Sequence, residues 1–274
     1  VRIDAHQHFW ARARGDYGWL ETIEAVKPIR QDYYPADFES FRARHGIDRT
    51  VLVQAAPSIE ETEYMLGLAD ATPWIAKVVG WVDFENATHR RHLERWSRHA
   101  KFSGVRPMIQ DIADTDWMLR PDVQWGYAAV CALDLTFDAL GLPRHLDNFQ
   151  RLFDRYPKMR VVIDHCLKPE IRNDAFDEWA TKMAAIADKT GAYCKLSGLG
   201  TEAKPGWDVA VLKPYADHII ACFGADRVMW GSDWPVINLN GSYDAWAKAA
   251  EAIVKPADAA RIFGGTAAEF YRIA

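Results

Sequence analysis

Arg2-Ile3-Asp4-Ala5-His6-Gln7-His8-Phe9-Trp10 is the stretch that decides the fold. It opens as a β-rich run and ends on imidazoles and aromatic rings. An open, doubly wound sheet usually carries a glycine-rich phosphate loop directly after its first strand. No such loop follows here, so the segment reads as the first strand of a closed barrel. Further β-rich runs cover residues 49–54, 76–82, 104–110, 132–137, 160–165, 192–197 and 227–233. Val51-Leu52-Val53 and Val161-Val162-Ile163 are continuous apolar runs, as parallel strands covered on both faces are. Helical spacing occupies 60–71, 88–99, 146–156, 175–189 and 208–223, with two more helices over 243–254 and 257–263. Tyr156-Pro157, Thr190-Gly191 and Gly224 supply stops. This alternation predicts an α/β fold, a single-domain (β/α)8 TIM-like barrel over residues 1–274.

Composition narrows the function. The chain has 274 residues, 49% hydrophobic and 26% charged, which fits a globular core rather than disorder. Net charge is −5 with no basic run, so nucleic acid and anionic membranes are poor partners. No apolar run approaches the roughly 18 residues of a membrane span. The start lacks the basic, apolar and small-residue order of a secretion signal, so none is expected. Cys131, Cys166, Cys194 and Cys222 form no C-x-x-C pair and lie in or beside apolar runs. Buried thiols in a reducing, cytoplasmic setting are the expectation.

Barrel enzymes keep their chemistry at the C-terminal strand ends, which ranks the polar residues. His6 and His8 are two apart in a strand, so their rings share one face. Imidazoles there bind a metal or polarise a carbonyl, or are ordinary polar strand-end residues. His165 ends the 160–165 strand, and by alternation Asp164 points the other way, towards the helices. Asp233, in Gly231-Ser232-Asp233-Trp234-Pro235, is a metal ligand, a base towards water, or a turn former before proline. Arg106 is a barrel-lining cation for a substrate oxygen or a structural ion pair, and Lys195 is a similar case. Lys168 is a loop cation beside His165. Trp10, Trp19, Trp81 and Trp234, among 12 tryptophans, are placed to stack on a sugar ring. The long segment 11–37 is expected over the catalytic face, because loops of that length are usually functional.

In order along the chain, these segments resemble the amidohydrolase superfamily, in its amidohydrolase 2 branch, and within it the sugar lactonases. The likeness rests on Asp4-Ala5-His6-Gln7-His8-Phe9-Trp10, Gly104-Val105-Arg106, Ile163-Asp164-His165, Lys168-Pro169, Cys194-Lys195-Leu196-Ser197-Gly198-Leu199, Met229-Trp230-Gly231-Ser232-Asp233-Trp234-Pro235 and Gly265-Thr266-Ala267. His-x-His alone is common, whereas the ordered set is specific. The resemblance implies a distorted barrel that opens a small aldonolactone, such as L-fuconolactone, to its aldonate. It implies Asp233, His165 and Arg106 as catalytic groups, with Asp233 handling the proton of the attacking water. His6, His8, Arg106, Lys168, Trp10 and Trp234 would touch the substrate.

Two-metal members of the superfamily use a carboxylated lysine or glutamate on strand four and a histidine on strand five. Here strand four offers Arg106, and the run 132–137 has no histidine. The resemblance therefore implies at most one divalent ion, zinc first, held by His6, His8, His165 and Asp233. Whether turnover needs that ion stays open, because a lactone is an activated ester. No organic cofactor is expected. The expected partner is a small sugar lactone, and self-association into a homo-oligomer is compatible. Pyrone dicarboxylate lactonases and metal-dependent decarboxylases share the scaffold. The first should show several arginines in the site, the second tight zinc. A sugar-binding barrel without catalysis is the non-enzyme alternative, and the joint presence of His6, His8, His165 and Asp233 speaks against it.

Overall fold

The computed structural model describes residues 1–274. Its strands are β1 Ile3–Gln7, β2 Arg49–Val53, β3 Ile75–Gly80, β4 Phe102–Val105, β5 Thr136–Ala139, β6 Arg160–Ile163, β7 Tyr193–Leu196 and β8 Val228–Trp230. All eight are parallel and pair in chain order. The last strand returns to the first through the residues just beyond it. Asp233 N donates to His6 O at 2.8 Å, and His8 N donates to Trp234 O at 2.8 Å. The barrel is thus nearly closed, as the strand–helix alternation predicts. The closing bonds involve the same residues that carry the candidate chemistry.

Alternation along the strands divides the core. Leu52, Val78, Val161 and Ile163 face the surrounding helices in the large apolar cluster. Ile3, Ala5, Val51, Val53, Val79, Val162 and Met229 fill the barrel interior, where Ala267, Phe270 and Tyr271 of the helix Thr266–Tyr271 join them. Strand β1 breaks its register with β2 between Asp4 and Gln7. This bulge lets Ala5 and then His6 both turn inward, while Gln7 turns out to Thr50 Oγ1 at 3.1 Å.

Most strands end earlier than their sequence patterns suggest. Strand β4 stops at Val105, β6 at Ile163 and β8 at Trp230, so Arg106, His165 and Asp233 lie just past the ladder. The largest correction is strand five. Residues 124–132 are the helix Gln124–Ala132, and β5 begins at Thr136. Of the Ala129-Val130-Cys131-Ala132-Leu133 run there, Ala129 and Val130 are the buried helical face and Ala132 is exposed, and short apolar runs do not distinguish the two states. The corrected strand still contains no histidine. Helix Pro35–His45 follows the long loop, and the sequence reading lacked it. Cys166 and Cys194 are buried, Cys131 and Cys222 half-buried, and all four are free thiols. No helix is long and apolar enough to cross a membrane.

Candidate active site

A cavity of about 890 Å³ opens at the C-terminal ends of the strands. His8, Trp10, Arg106, His165, Lys168 and Asp233 line it. So do Asp16, Trp19, Ile23 and Val26 of the long loop, which therefore covers this face. Bonds from Trp10 Nε1 to Gln31 O at 2.7 Å and from Trp19 Nε1 to Ala55 O at 2.8 Å tie that loop to the barrel. Trp81 completes part of the wall. Trp234 is different. It is buried among Phe9, Tyr33, Phe38 and Phe41 and does not line the cavity. Its ring packs under the closing hydrogen bonds, so the expected substrate contact is not made.

The imidazoles and the carboxylate do meet. Asp233 Oδ1 lies 3.2 Å from His8 Nε2, 3.7 Å from His6 Nε2 and 3.9 Å from His165 Nε2. His6 Nε2 and His8 Nε2 are 3.2 Å apart. His6 is fully buried and forms the floor beneath the lining residues. Its Cβ rests on Gly231, where an added Cβ would approach to 2.7 Å, so only glycine fits behind the ring. Burial raises the Asp233 carboxyl, but the facing His165, His8 and His6 outweigh it and hold it well below the ordinary carboxylate range. Burial pushes His165 down to about 4, with Lys168 and Arg106 acting in the same direction. Its ring is therefore neutral near pH 7. Burial and Lys195 likewise push His6 well below its ordinary value.

His165 reaches the cavity by an unusual local route. His165, Cys166, Leu167 and Lys168 all have positive φ, between 49° and 54°. Left-handed backbone costs a non-glycine residue roughly 1–2 kcal/mol, and such strain concentrates at functional sites. His165 Nδ1 is fixed by Ser197 Oγ at 2.9 Å. Asp233 also sits at φ 56°.

Beneath the cavity lies a buried ionic layer that strand-end reading only partly reveals. Arg106 donates from Nε and Nη2 to Gln54 Oε1, from Nη2 also to Gln54 O, and from Nη1 to Asp164 Oδ2 at 3.2 Å. Lys195 Nζ donates to Asp138 Oδ2 at 2.6 Å and lies 3.0 Å from Asp164 Oδ1. Tyr271 OH donates to Asp138 Oδ2 at 2.8 Å. Asp164 therefore points into the barrel, not towards the helices. The chain leaves β6 into the left-handed turn, and Lys195 and Arg106 are the charges that compensate its burial. Burial alone would raise Asp164, but Lys195, His6 and Arg106 hold it well below the ordinary range. Gln54, Asp138 and Ser197 escaped the sequence reading. Gln54 and Ser197 are polar residues directly after an apolar strand, the same signal that marked His165, and Asp138 lies inside β5.

The donor chemistry fits a single divalent ion. His6, His165 and Asp233 offer ligand atoms within 4.8 Å of one another, and His8 Nε2 borders them. Nitrogen and carboxylate donors in this number suit a catalytic ion with an open position. Arg106 and the Lys195 ammonium fill the region around Asp138 and Asp164, where a second ion would need further anionic ligands.

Comparison with known proteins identifies the family. The model of the amidohydrolase family matches residues 3–273. The L-fucono-1,5-lactonase of Burkholderia ambifaria is 43% identical, covering 99% of this chain and 96% of that protein. The L-fucono-1,5-lactonase of Burkholderia multivorans is 33% identical, covering 100% of this chain and 96% of that protein. A crystal structure of an amidohydrolase from Burkholderia multivorans, described with bound zinc, superposes with a TM-score of 0.92 at 32% identity, each chain covered in full. With these matches spanning the chain and its barrel, the protein belongs to the amidohydrolase family.

Proposed function

We propose that this chain hydrolyses a sugar-acid lactone, L-fucono-1,5-lactone or a close aldonolactone, to the free aldonate. The observation that carries the reading is the Asp233 carboxylate. It stays ionised at the cavity wall within 3.2 to 3.9 Å of His8, His6 and His165. Full-length likeness to two L-fucono-1,5-lactonases supports it.

In this mechanism water lies between Asp233 and the lactone carbonyl carbon. Asp233 takes a proton as the water attacks. Arg106 and Lys168, the cations on the cavity wall, face the charge growing on the carbonyl oxygen and stabilise it. The tetrahedral intermediate then collapses, the ring C–O bond breaks, and Asp233 returns the proton to the leaving alkoxide. His165 stays neutral and shapes the floor on which the water rests. Trp10, Trp19 and Trp81 form the apolar wall that orients the sugar ring. A divalent ion, zinc being the leading candidate, would be held by His6, His165 and Asp233 and would supply Lewis acidity towards the carbonyl.

A pyrone dicarboxylate is a poor fit. Arg106 is the single arginine on the cavity wall, and Asp16, Asp83, Glu85 and Asp111 share that wall. A doubly anionic substrate would meet more like charge than opposite charge. The free thiols agree with a reducing, cytoplasmic setting.

The test is a pH-indicator screen of aldonolactones and pyrone dicarboxylates, run with and without chelator. Proton release from aldonolactones, with none from dicarboxylates, is expected. Turnover confined to dicarboxylates would contradict the reading.

A further inference from the structure

Besides Asp233, four carboxylates stand on the cavity wall, at Asp16, Asp83, Glu85 and Asp111. Two are matched by cations of the protein. Asp16 Oδ2 pairs with Arg14 Nη2 at 2.8 Å, and its Oδ1 accepts from Ser58 Oγ at 2.9 Å. Glu85 pairs with Arg120 Nη2 at 2.8 Å. Asp111 is exposed at the rim and receives Gln110 Nε2 at 3.4 Å. Asp83 is half-buried and, unlike Asp16 and Glu85, makes no ion pair.

Asp83 is nevertheless held in place. It follows β3, its N donates to His89 Nδ1 at 3.2 Å, and its Oδ1 accepts from Glu85 N at 2.8 Å. The bond to Glu85 N occupies one oxygen, as in an aspartate turn. Oδ2 has no partner in the protein, on a residue that lines the cavity. Other hydrogen-bonding groups on this wall are also unused. Trp10 and Trp19 commit their indole N–H groups to main-chain oxygens, whereas that of the half-buried Trp81 bonds to nothing in the protein. Trp117 is 4% exposed, and its Nε1 is buried without a partner, as is Gln110 Oε1. An alkyl chain against this wall would desolvate such groups and return no hydrogen bonds. A ring that carries both C–H faces and hydroxyls suits the aromatic and the polar groups together.

We propose that Asp83 is a specificity-determining residue, its free Oδ2 accepting hydroxyl groups at the edge of the lactone ring remote from the carbonyl, with Trp81 beside the ring face. The proposal rests on the lactonase reading and names what the site selects, a neutral ring bearing hydroxyls rather than lactones in general.

Topology sets which edge this is. The eight strands pair in chain order and the last closes on the first, so β3 stands three places round the ring from β8. Asp233 follows β8 and Asp83 follows β3, on well-separated parts of the mouth. A lactone whose carbonyl carbon lies at Asp233 therefore turns its other edge towards Asp83. A carboxylate oxygen accepts hydroxyls and cannot donate. Hydrogen bonds to it are about twice as strong as those between neutral groups. The same oxygen repels an anionic substituent at that edge.

The experiment compares L-fucono-1,5-lactone with δ-valerolactone, the same six-membered ring without hydroxyls, each rate divided by that of uncatalysed opening. Asp83→Asn keeps an oxygen for Glu85 N and replaces the free acceptor by a donor. Asp83→Ser is a second variant that keeps the turn bond and withdraws the free oxygen. Wild type should favour the hydroxylated lactone by about 10²-fold or more, and each variant should lose about tenfold or more in kcat/KM on it, chiefly through KM. Turnover of δ-valerolactone should stay within about twofold of wild type in both variants, because it makes no bond to Asp83. Equal losses on both lactones overturn the proposal, since a displaced loop harms both, and so do variants unchanged on both. Wild type that opens δ-valerolactone as well as the hydroxylated lactone, or better, overturns it whether or not the variants fold. If neither lactone is opened, the lactonase reading fails, and calorimetry with L-fucose, which carries the same hydroxyls at C2, C3 and C4, decides the role of Asp83. Binding weakened about tenfold or more by Asp83→Asn supports that role. Equal affinity in the variant, or no binding by wild type, overturns it.

Discussion

Arg106 shows how much one side chain fixes. Its guanidinium holds Gln54 through both the main-chain and side-chain oxygens, pairs with Asp164, and borders the cavity. Only a planar fork reaches all of these at once. Arg106→Lys keeps the charge and loses the fork. Its kcat/KM for an aldonolactone is expected to fall by about 10²-fold, and stability by about 1–3 kcal/mol as Gln54 and Asp164 lose buried partners. Steady-state kinetics and denaturant melts check both values. Rates within threefold of wild type would reduce Arg106 to a generic cation. The sequence could name Arg106, since a lone arginine closing an apolar strand stands out. It could not name the partners, because Gln54 and Asp164 lie on other strands.

At the scale of elements, the left-handed turn 165–168 matters most. It follows β6 and delivers His165 to the cavity wall. Gly198, at φ +70° after β7, makes room for it, since an added Cβ would come 2.7 Å from His165 Cβ. Gly198→Ala combines backbone strain with this clash. It is expected to destabilise the protein by about 1–3 kcal/mol and to displace His165. Activity should therefore fall further than the folded fraction does, as assays beside thermal melts would show. Equal losses in both would mean that His165 tolerates the shift. Such turns were invisible to pattern reading, because His165-Cys166-Leu167-Lys168 contains no glycine or asparagine to signal them. Helix Pro35–His45 was missed for another reason. Phe38 is its one buried residue, so its exposed, charged faces give almost no apolar periodicity. The strand runs themselves were legible because both faces of each strand are buried.

The whole molecule stores buried, neutral histidines, and this gives its stability a pH dependence. His145 is fully buried outside the site, with Nδ1 accepting from Leu142 N at 3.0 Å. Burial, then Arg144, pushes it down to about 4 from an ordinary 6.5. A lowered histidine value means that the unfolded chain binds the proton first. Its stabilising share is whole above pH 6.5 and declines as pH falls towards about 4. His145→Asn keeps an acceptor but does not titrate. The stability advantage of wild type over this variant should shrink by on the order of 2 kcal/mol between pH 7 and pH 4.5. Urea melts at both values read it, and a pH-independent difference would contradict the assignment.

The barrel and its chemistry share one closure, because the bonds joining the last strand to the first involve His6, His8, Asp233 and Trp234. That is why distant motifs pointed to one site from sequence, and also why Trp234 was misjudged. It belongs to the same segment but faces its underside. The most direct test of the site is the rate of aldonolactone opening by Asp233→Asn in chelated buffer. Retained fold by circular dichroism and a kcat lowered about 10³-fold are predicted. A folded variant turning over within tenfold of wild type would contradict Asp233 as the group that takes the proton from water.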